Sequence, residues 1–548
     1  MIPYLRVCLN ASNPGTLKAA VPDADHSGRM PRLTVALLLI VIALAGCAET
    51  PAPRAQAPAP TPSPPPGEPL ARQQAEEARL RAEIARTRRS PTVEASLKVA
   101  RLTGRISPAL EASLRKDWAN ANATLGKLSG LRRSELAYVV GTVRSLAASH
   151  TLTVDRLRPT FLILRTNARF WAREPLPASG FRTSPSADPA IFQYYPGRGM
   201  QLQPLASWGR ANAIAGACLA AMRTRTKKDT CRPGALAKSL DRLTALGARR
   251  SGFLAWEYYF AYGTGSPPWV SGMTQATAVQ ALARGYRALG KPRWRRSALR
   301  ALGAFEQAPP SGVSVRAPGG RHYVLYSFAP SHRVFNGGLQ AVIGLRDAAA
   351  LLHSSRAKRL FARGERAARR EIADFDTGAW SLYSEKGAEA TLNYHSLIAG
   401  FLSNLCDRVR KRTYCSAGKR FKRYEREPTR IGIRPLRGVR WDRTSTVRFT
   451  ISKISTVKVR LWGKRGMSLS RDLRLARGTH SVSWRPPGRG HYRLRVEAQG
   501  PSGPLGVETR SIRVTLPKPK PKKKKAAPRS RRGDRDRDAA DAASRRKP

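Results

Sequence analysis

Several short motifs that identify common enzyme classes do not occur in this sequence. It contains no P-loop, no GxSxG serine-hydrolase motif and no HExxH pair, which disfavours nucleotide-binding, serine-hydrolase and metallopeptidase classes. None of its six cysteines has the CxxC spacing of a zinc site. We therefore expect no metal and no cofactor. With 41% hydrophobic residues, the 548-residue chain can bury a large core, which excludes a wholly disordered protein.

Acidic residues are scarce. Asp and Glu number 36 against 99 Lys and Arg, a formal net charge of +63, and the segment from Pro517 onward contributes only +10 of that excess. Such a charge favours an anionic partner, namely nucleic acid, an envelope polymer or an acidic polysaccharide. A coding bias toward arginine would produce the same composition, so the charge alone does not select a function.

The N-terminal part of the sequence resembles a bacterial lipoprotein signal. A basic start at Met30 leads into the apolar run 33–46, and Cys47 follows a small-residue site directly. We expect residues 1–47 to be a leader, translation to begin at Met30, and Cys47 to carry the lipid. A retained membrane helix is the alternative, although the run is short for one.

Residues 48–69 are rich in Pro and Ala and predict an extended tether. Together with the leader, they predict an extracytoplasmic protein, either a cell-membrane lipoprotein held by an N-terminal lipid anchor or a secreted protein. Secretion argues against nucleic acid as the partner.

The remaining cysteines fall into two local pairs. Because the compartment is oxidising, Cys218 with Cys231 and Cys406 with Cys415 are disulfide candidates, and buried free thiols are the alternative.

The hydrophobic periodicity divides the rest of the chain. Residues 70–185 show helical spacing of apolar residues, and 186–428 contain longer helices that pair off between Gly/Pro turns. The pairs favour an α/α toroid of helical hairpins, with an open helical solenoid as the alternative. Residues 429–516 alternate apolar and polar residues, which predicts an immunoglobulin-like β-sandwich, and 517–548 predict a disordered basic tail. The fold class is thus mainly α.

Five segments in order resemble the C-terminal region of the D-glucuronyl C5-epimerases, over roughly residues 190–425. They are "PPWVSGMTQATAVQALARGYRALG", "YVLYSFAPSHRVFNGGLQAVIGLRDAAALL", "FDTGAWSLYS", "NYHSLIAGFL" and "YCSAGKRFKRYER". The resemblance implies action on an acidic polysaccharide: removal of the C5 proton of a hexuronic acid residue and return of a proton on the opposite face. By position, Tyr326, Tyr383 and Tyr394 match the family's active-site tyrosines. Leu325 stands where the animal enzymes have an acidic residue, so carboxylate assistance is missing at that point.

The chemistry itself needs proton carriers on both faces of the sugar and stabilisation of an enolate-like dianion. Tyrosine, with a reference pKa of about 10, suits this role when nearby cations favour the phenolate. We expect Arg333, near Asn336, to grip the substrate carboxylate. His395 is expected to orient Tyr394 or bind a sugar hydroxyl, and Trp269 either stacks on sugar or fills the helix hairpin. Each of these side chains also has a purely structural interpretation.

Other functions stay open on the sequence. The same carbanion leads to a lyase if a 4,5 double bond forms, and a protein that binds acidic glycan without turnover is a further alternative. Glycoside hydrolysis needs paired carboxylates. Glu257, Glu306, Asp374, Asp376 and Glu385 lie in the same region, so such a pair is not excluded.

Overall fold

The computed structural model describes residues 68–185, 188–224 and 231–516. The predicted leader with Met30 and Cys47, nearly all of the predicted tether and the predicted basic tail lie outside the described residues.

Within that part of the chain the protein is mainly helical, with β-sheets toward the C-terminus, as the sequence predicts. The helices are α1 Glu68–Arg88, α2 Val93–Leu102, α3 Pro108–Lys127, α4 Gly130–Ala148, α5 Val154–Arg173, α6 Pro204–Thr224, α7 Pro233–Thr244, α8 Gly272–Leu289, α9 Pro292–Ala301, α10 Phe335–Leu351, α11 Ser355–Phe375, α12 Leu392–Val409 and α13 Arg412–Tyr424.

Local sequence signals set many of the helix ends. Side-chain oxygens of Ser107, Ser271 and Ser354 accept hydrogen bonds from backbone N–H groups in the first turns of α3, α8 and α11. Gly290 ends α8 in the left-handed region, at φ 69°, which glycine adopts without steric penalty.

The helices α6 to α13 form two layers. α6, α8, α10 and α12 are neighbours in one row, and α7, α9, α11 and α13 each pack against the preceding member of that row. The inner helices α8 and α10 run in the same direction, because Gln340 on α10 donates to Thr277 on α8, and seven residues further along both helices Arg284 donates to Asp347. A glycine permits the close approach of α8 and α10. A Cβ added at Gly344 would lie 2.5 Å from the carbonyl oxygen of Ala276.

The strands are β1 Arg182–Thr183, β2 Phe192–Tyr195, β3 Gly199–Leu202, β4 Ala248–Arg250, β5 Phe253–Ala255, β6 Ser314–Ala317, β7 Gly320–Tyr323, β8 Ile431–Ile433, β9 Val439–Arg440, β10 Ser445–Ile451, β11 Ser455–Gly463, β12 Gly466–Leu475, β13 Gly478–Trp484, β14 Gly490–Gln499 and β15 Gly506–Thr515. β1–β3 form a small antiparallel sheet, and β4–β5 and β6–β7 are hairpins.

Two compact units make up the chain, one ending at Arg426 and the other beginning at Glu427. The second contains two sheets, ordered β13-β10-β8 and β12-β11-β14-β15-β9. Their inward side chains, among them Val447, Val459 and Leu494, belong to one apolar core, while the alternate residues of the strands face outward.

A buried ion-pair cluster joins the N-terminal helices to the helical layers within the first unit. Arg156 on α5 donates to both carboxylate oxygens of Glu257, at 2.7 and 2.9 Å, and Arg250 donates to the same group at 2.8 Å. Burial alone would raise the pKa of Glu257, but hydrogen bonds from the two arginines hold it below its usual value. α5 is therefore anchored on the second half of the unit.

Disulfides join Cys218 to Cys231 and Cys406 to Cys415. The second lies between α12 and α13. No helix in the described part of the chain is long and apolar enough to span a membrane.

Candidate active site

The three tyrosines of the resemblance meet at one place. Tyr326 lies between β7 and α10, Tyr383 between α11 and α12, and Tyr394 in the first turn of α12. The phenol groups of Tyr326, Tyr383 and Tyr394 lie close enough together to shift the pKa values of Tyr326 and Tyr383, and the rings of Tyr383 and Tyr394 are 4.8 Å apart. Tyr383 is therefore the central member of a chain of three phenols.

Backbone pairing between two loops brings the first two phenols together. The N–H of Phe335, at the start of α10, donates to the carbonyl of Tyr383 at 3.3 Å, and Val334 pairs with Ser384 in an isolated β-bridge. The loop that carries Tyr383 is thus fixed to the segment that follows Tyr326.

The Asp-Thr-Gly turn fixes the start of the Tyr383 loop. The Asp376 carboxylate accepts hydrogen bonds from the N–H of Gly378 at 2.9 Å, from Nε of Arg420 at 2.7 Å and from the hydroxyl of Tyr424 at 3.0 Å. These partners lie in the turn and on α13, so the motif positions the loop by its contacts with the outer helix layer.

A cavity of about 720 Å³ lies beside the tyrosines, and Tyr326 and Tyr394 line it. Tyr383 is not among the lining residues, so it joins the two exposed phenols from outside the cavity. The volume lies within the range of about 300–1,000 Å³ that is typical of small-molecule sites.

The inner helices supply the long walls of the cavity through residues spaced i, i+4, i+7 and i+11. The lining residues at this spacing are Leu205, Gly209, Asn212 and Gly216 on α6; Met273, Gln280 and Arg284 on α8; Asn336, Gln340 and Ile343 on α10; and Asn393, Leu397, Gly400 and Asn404 on α12. The sequence analysis selected Asn336 from this set and none of its other members. The sequence signal that could have revealed these residues is an Asn or Gln side chain, at helical spacing, on the apolar face of each helix.

An aromatic cluster forms another wall. Trp269 is only 4% exposed, and its ring is stacked on that of Tyr258 with centroids 4.1 Å apart. Its indole N–H donates to the carbonyl of Phe260 at 2.8 Å. Trp269 contributes an edge of this cluster to the cavity, and the stacking on Tyr258 gives it the packing role that the sequence analysis held as one option.

Burial dominates the protonation of the phenols. Burial, together with the neighbouring Tyr383 and Tyr262, raises the pKa of Tyr326 well above 10. Burial also raises the pKa of Tyr383, while hydrogen bonds from Tyr326 and Tyr394 act in the opposite direction. The phenolate form is therefore best supported at Tyr383, which can accept from two donors.

His332 is a neighbour of the tyrosines that the sequence analysis did not select. Its ring is nearly parallel to that of Tyr326 at 6.3 Å, and it lies 6.2 Å from the ring of Tyr383. Partial burial lowers the pKa of His332, which favours the neutral imidazole beside the phenols. Only its place next to Arg333 in the loop before α10 distinguishes it in the sequence.

Two expected substrate contacts lie elsewhere. Arg333 pairs with Glu385 at 3.3 Å and donates to the carbonyl of Arg316 at 3.1 Å, and it does not line the cavity. In this structure the adjacent loop supplies Glu385 as the acidic partner of Arg333, and the grip on a substrate carboxylate stays a prediction.

His395 also faces away from the cavity. It is fully buried between Ser381, whose hydroxyl is 2.8 Å from Nδ1, and the carbonyl of Phe421, 2.9 Å from Nε2. Consecutive helix residues project about 100° apart, so His395 packs inward where Tyr394 reaches the cavity. The expected role in orienting Tyr394 or binding sugar is replaced by a structural one.

Asn336, the remaining expected contact, does line the cavity. It is 3% exposed, and its Oδ1 has no hydrogen-bond partner. A buried amide oxygen without a partner is costly, so a donor from a bound molecule, such as a sugar hydroxyl, would stabilise it.

The described residues that line the cavity include no Asp or Glu. The carboxylates considered for glycoside hydrolysis are mostly occupied by arginines: Glu257 by Arg156 and Arg250, Glu306 by Arg356, Asp376 by Arg420 and Glu385 by Arg333. The described part of the chain likewise holds no group of three His, Cys, Asp or Glu residues arranged to bind a metal.

The segment that carries the three tyrosines is similar to a known epimerase family. Residues 250–423 match the family model of the D-glucuronyl C5-epimerase C-terminus, which confirms the resemblance and includes all three tyrosines. The segment 190–249, which the resemblance also covered, lies outside the match. No curated protein matches the chain.

Three solved structures show distant likeness. Cellobiose 2-epimerase from Spirochaeta thermophila has 14% identity and a TM-score of 0.32, with 58% of this chain and 86% of that one covered. A sugar epimerase from a ruminal bacterium has 10% identity and a TM-score of 0.30, with 54% of this chain and 74% of that one covered. Cellobiose 2-epimerase from Bacillus thermoamylovorans has 11% identity and a TM-score of 0.31, with 54% of this chain and 76% of that one covered. Scores this low do not establish a shared fold.

Proposed function

We propose that this protein epimerises hexuronic acid residues of an acidic polysaccharide at C5. The observation that carries the proposal is the cluster of three neighbouring phenols beside an elongated cavity, within the segment that matches the C5-epimerase family. Epimerisation at C5 needs one group that accepts the proton and another that supplies a proton to the opposite face.

Two phenols at the cavity surface meet that requirement. In one direction, the C5–H bond breaks, its proton passes to a phenolate oxygen, and the electron pair delocalises into the substrate carboxylate as an enediolate. The second phenol then gives its proton to C5 on the other face, and becomes the phenolate. Tyr326 and Tyr394 are the surface pair, and Tyr383, whose phenol is a neighbour of both, can return the proton between them.

The helix ends supply electrostatic support at the same place. Asn336 and Tyr394 lie in the first turns of α10 and α12, and Met273 lies in the first turn of α8. Helix N-termini carry about half a positive charge each, which favours a uronate carboxylate and its enediolate there. Arg333, in this structure, does not contribute to that support.

A non-catalytic glycan-binding protein is the second candidate. Two observations favour it: Leu325 is packed with Met273 and Val334 where the family has an acidic residue, and the pKa values of Tyr326 and Tyr383 are raised rather than lowered. A lyase would use the same carbanion. Hydrolysis is disfavoured, because the cavity lining in the described chain has no carboxylate.

The proposal extends to architecture and location. We propose that α6–α13 represent an α/α toroid, that the C-terminal unit is an immunoglobulin-like sandwich, and that Cys47 carries a lipid anchor that places the protein outside the cytoplasm. Globomycin-sensitive processing and radiolabelling with palmitate would test the anchor, and replacing Cys47 with Ser should abolish the label.

Incubation with uronate polymers in deuterated water tests the activity. We expect deuterium at C5 and a change in the uronate epimer ratio, both lost in Tyr326→Phe and Tyr394→Phe but kept in the control Tyr414→Phe. Tyr414 is a suitable control because its buried hydroxyl donates to the Glu365 carbonyl, away from the cavity. Polymer binding without C5 deuterium across a broad panel would favour the non-catalytic candidate, and unsaturated product would indicate the lyase.

A further inference from the structure

The cavity has a second charged region at its other end. Arg284 lines the cavity there together with Asn212 and Asn404. Its Nε and Nη2 donate to Oδ2 of Asp347 at 3.0 and 2.8 Å, and its Nη1 donates to Oδ1 of Asn212 at 3.1 Å. These hydrogen bonds fix the guanidinium in one orientation.

A second arginine uses the same carboxylate. Arg408 on α12 pairs with the other oxygen of Asp347 and donates from Nε to Oδ1 of Asn404 at 2.6 Å. Two guanidinium groups thus share one carboxylate, and the cluster has a net charge of +1. The side chains of Arg284 and Asp347 are poorly hydrated, at 14% and 5% exposed, whereas that of Arg408 is 29% exposed.

An excess charge in so dry a place is unfavourable unless an anion comes near it. The cavity is the space where such an anion can approach, because Gly216 and Gly400 line it without side chains. A Cβ added at Gly216 would lie 3.3 Å from Nη1 of Arg284, so even a methyl group would press on the guanidinium.

This region is remote from the tyrosines. Met273 belongs to the apolar cluster that contacts Tyr326 and Tyr383, and Arg284 follows it on α8 by eleven residues. At a rise of 1.5 Å per residue the two positions are about 16 Å apart. One sugar ring does not span that length, so a carboxylate at Arg284 belongs to a different sugar from the one that reacts.

We infer that the end of the cavity formed by Arg284, Asn212 and Asn404 is a distal subsite for the carboxylate of a second uronate in the same substrate chain. The inference rests on the proposed function and deepens it, because it specifies a substrate with at least two acidic sugars at a fixed separation. The surplus charge, the low hydration and the absence of side chains at Gly216 and Gly400 are its physical basis.

The test compares substrates and two matched variants. The probes are a fully charged uronate hexasaccharide and the same hexasaccharide with all but one uronate reduced to the neutral sugar. Asn404→Asp adds a negative charge beside Arg408 and keeps the accepting oxygen. Asn122→Asp is the control, since Asn122 also lies partly buried on a helix and accepts from an arginine, Arg144, at 2.8 Å, outside the cavity.

Affinity, measured by calorimetry, is the primary readout because it does not require turnover. For the unaltered protein and for Asn122→Asp, we expect the fully charged probe to bind about tenfold tighter than the reduced probe, in keeping with one charge-assisted contact. In Asn404→Asp this preference should fall to twofold or less. The subsite is refuted if Asn404→Asp and Asn122→Asp show the same preference, or if the unaltered protein binds both probes equally.

Failure of the subsite and failure of the proposed function give different results. C5 exchange with equal affinity for the two probes would refute the subsite and leave the epimerase. Absence of C5 exchange, with a preference that only Asn404→Asp removes, would support the subsite and refute the epimerase.

Discussion

Replacing Tyr383 with Phe is the sharpest test of the phenol chain. The change keeps the ring and removes one oxygen, that of the hydroxyl group that is a neighbour of both Tyr326 and Tyr394. A positioned general acid or base contributes about 10²–10⁴-fold to a rate. Because Tyr383 links the two surface phenols, we expect kcat for C5 exchange to fall by at least about 100-fold, with KM changed less than threefold.

Structural damage must be separated from this effect. Each lost hydrogen bond lowers the free energy of unfolding by about 1 kcal/mol, so Tyr383→Phe should lose up to about 2 kcal/mol and the control Tyr414→Phe about 1 kcal/mol. Rates are therefore compared well below the unfolding transition of either variant. The assay is deuterium incorporation at C5, followed by NMR.

The double variant adds a further criterion. Residues that act as one unit are strongly non-additive, so Tyr326→Phe combined with Tyr383→Phe should be little slower than either single variant. If Tyr383→Phe retains more than half of the exchange rate while Tyr326→Phe and Tyr394→Phe abolish it, the central phenol has no part in proton transfer and the relay is refuted.

Three further predictions follow from the described contacts. Because burial raises the pKa values of Tyr326 and Tyr383 above 10, the phenolate is a minor species at neutral pH. We therefore expect log kcat/KM to rise with a slope of about one per pH unit from pH 7 to 9. A flat pH profile would contradict a phenolate base. Replacing Cys406 and Cys415 with Ser removes a disulfide with a sequence separation of 9. The free energy of unfolding, measured by denaturant titration, should fall by about 3 kcal/mol. Equal stability of the variant and the unreduced protein would show that this disulfide does not stabilise the fold. His395→Gln should lower the free energy of unfolding by about 1–3 kcal/mol, because the contacts with Ser381 and the Phe421 carbonyl are lost. The KM of the folded variant should stay within twofold of the unaltered protein. A large rise in KM at unchanged stability would restore the binding role expected from the sequence.

The helical layers and the β-rich C-terminal part could be predicted from hydrophobic periodicity. A period of 3.6 residues in the helices and of 2 in the strands persists over many residues. The tyrosines followed from the order of short motifs. Their convergence was implied by the resemblance, but the contact that produces it, the pairing of the Phe335 N–H with the Tyr383 carbonyl between two loops distant in sequence, could not be predicted.

Side-chain partners were the least accessible feature. Arg333 was expected to face the substrate, but the loop pairing places Glu385 beside it. His395 follows Tyr394 directly, and the helical rotation between neighbours directs it into the core rather than the cavity. Arg284 carried no signal of its own, since a chain with 99 Lys and Arg offers many equivalent candidates, and only the shared use of Asp347 distinguishes it.

The ion-pair cluster of Arg156, Arg250 and Glu257 has a consequence for the modular organisation of this protein. The family match begins at residue 250, yet the guanidinium that grips Glu257 with two hydrogen bonds comes from α5, about a hundred residues upstream. A fragment cut at the start of the match would expose a surface that had been sealed by α5. The matched segment and its preceding helices should therefore be expressed and recombined together, as a single unit larger than the match alone.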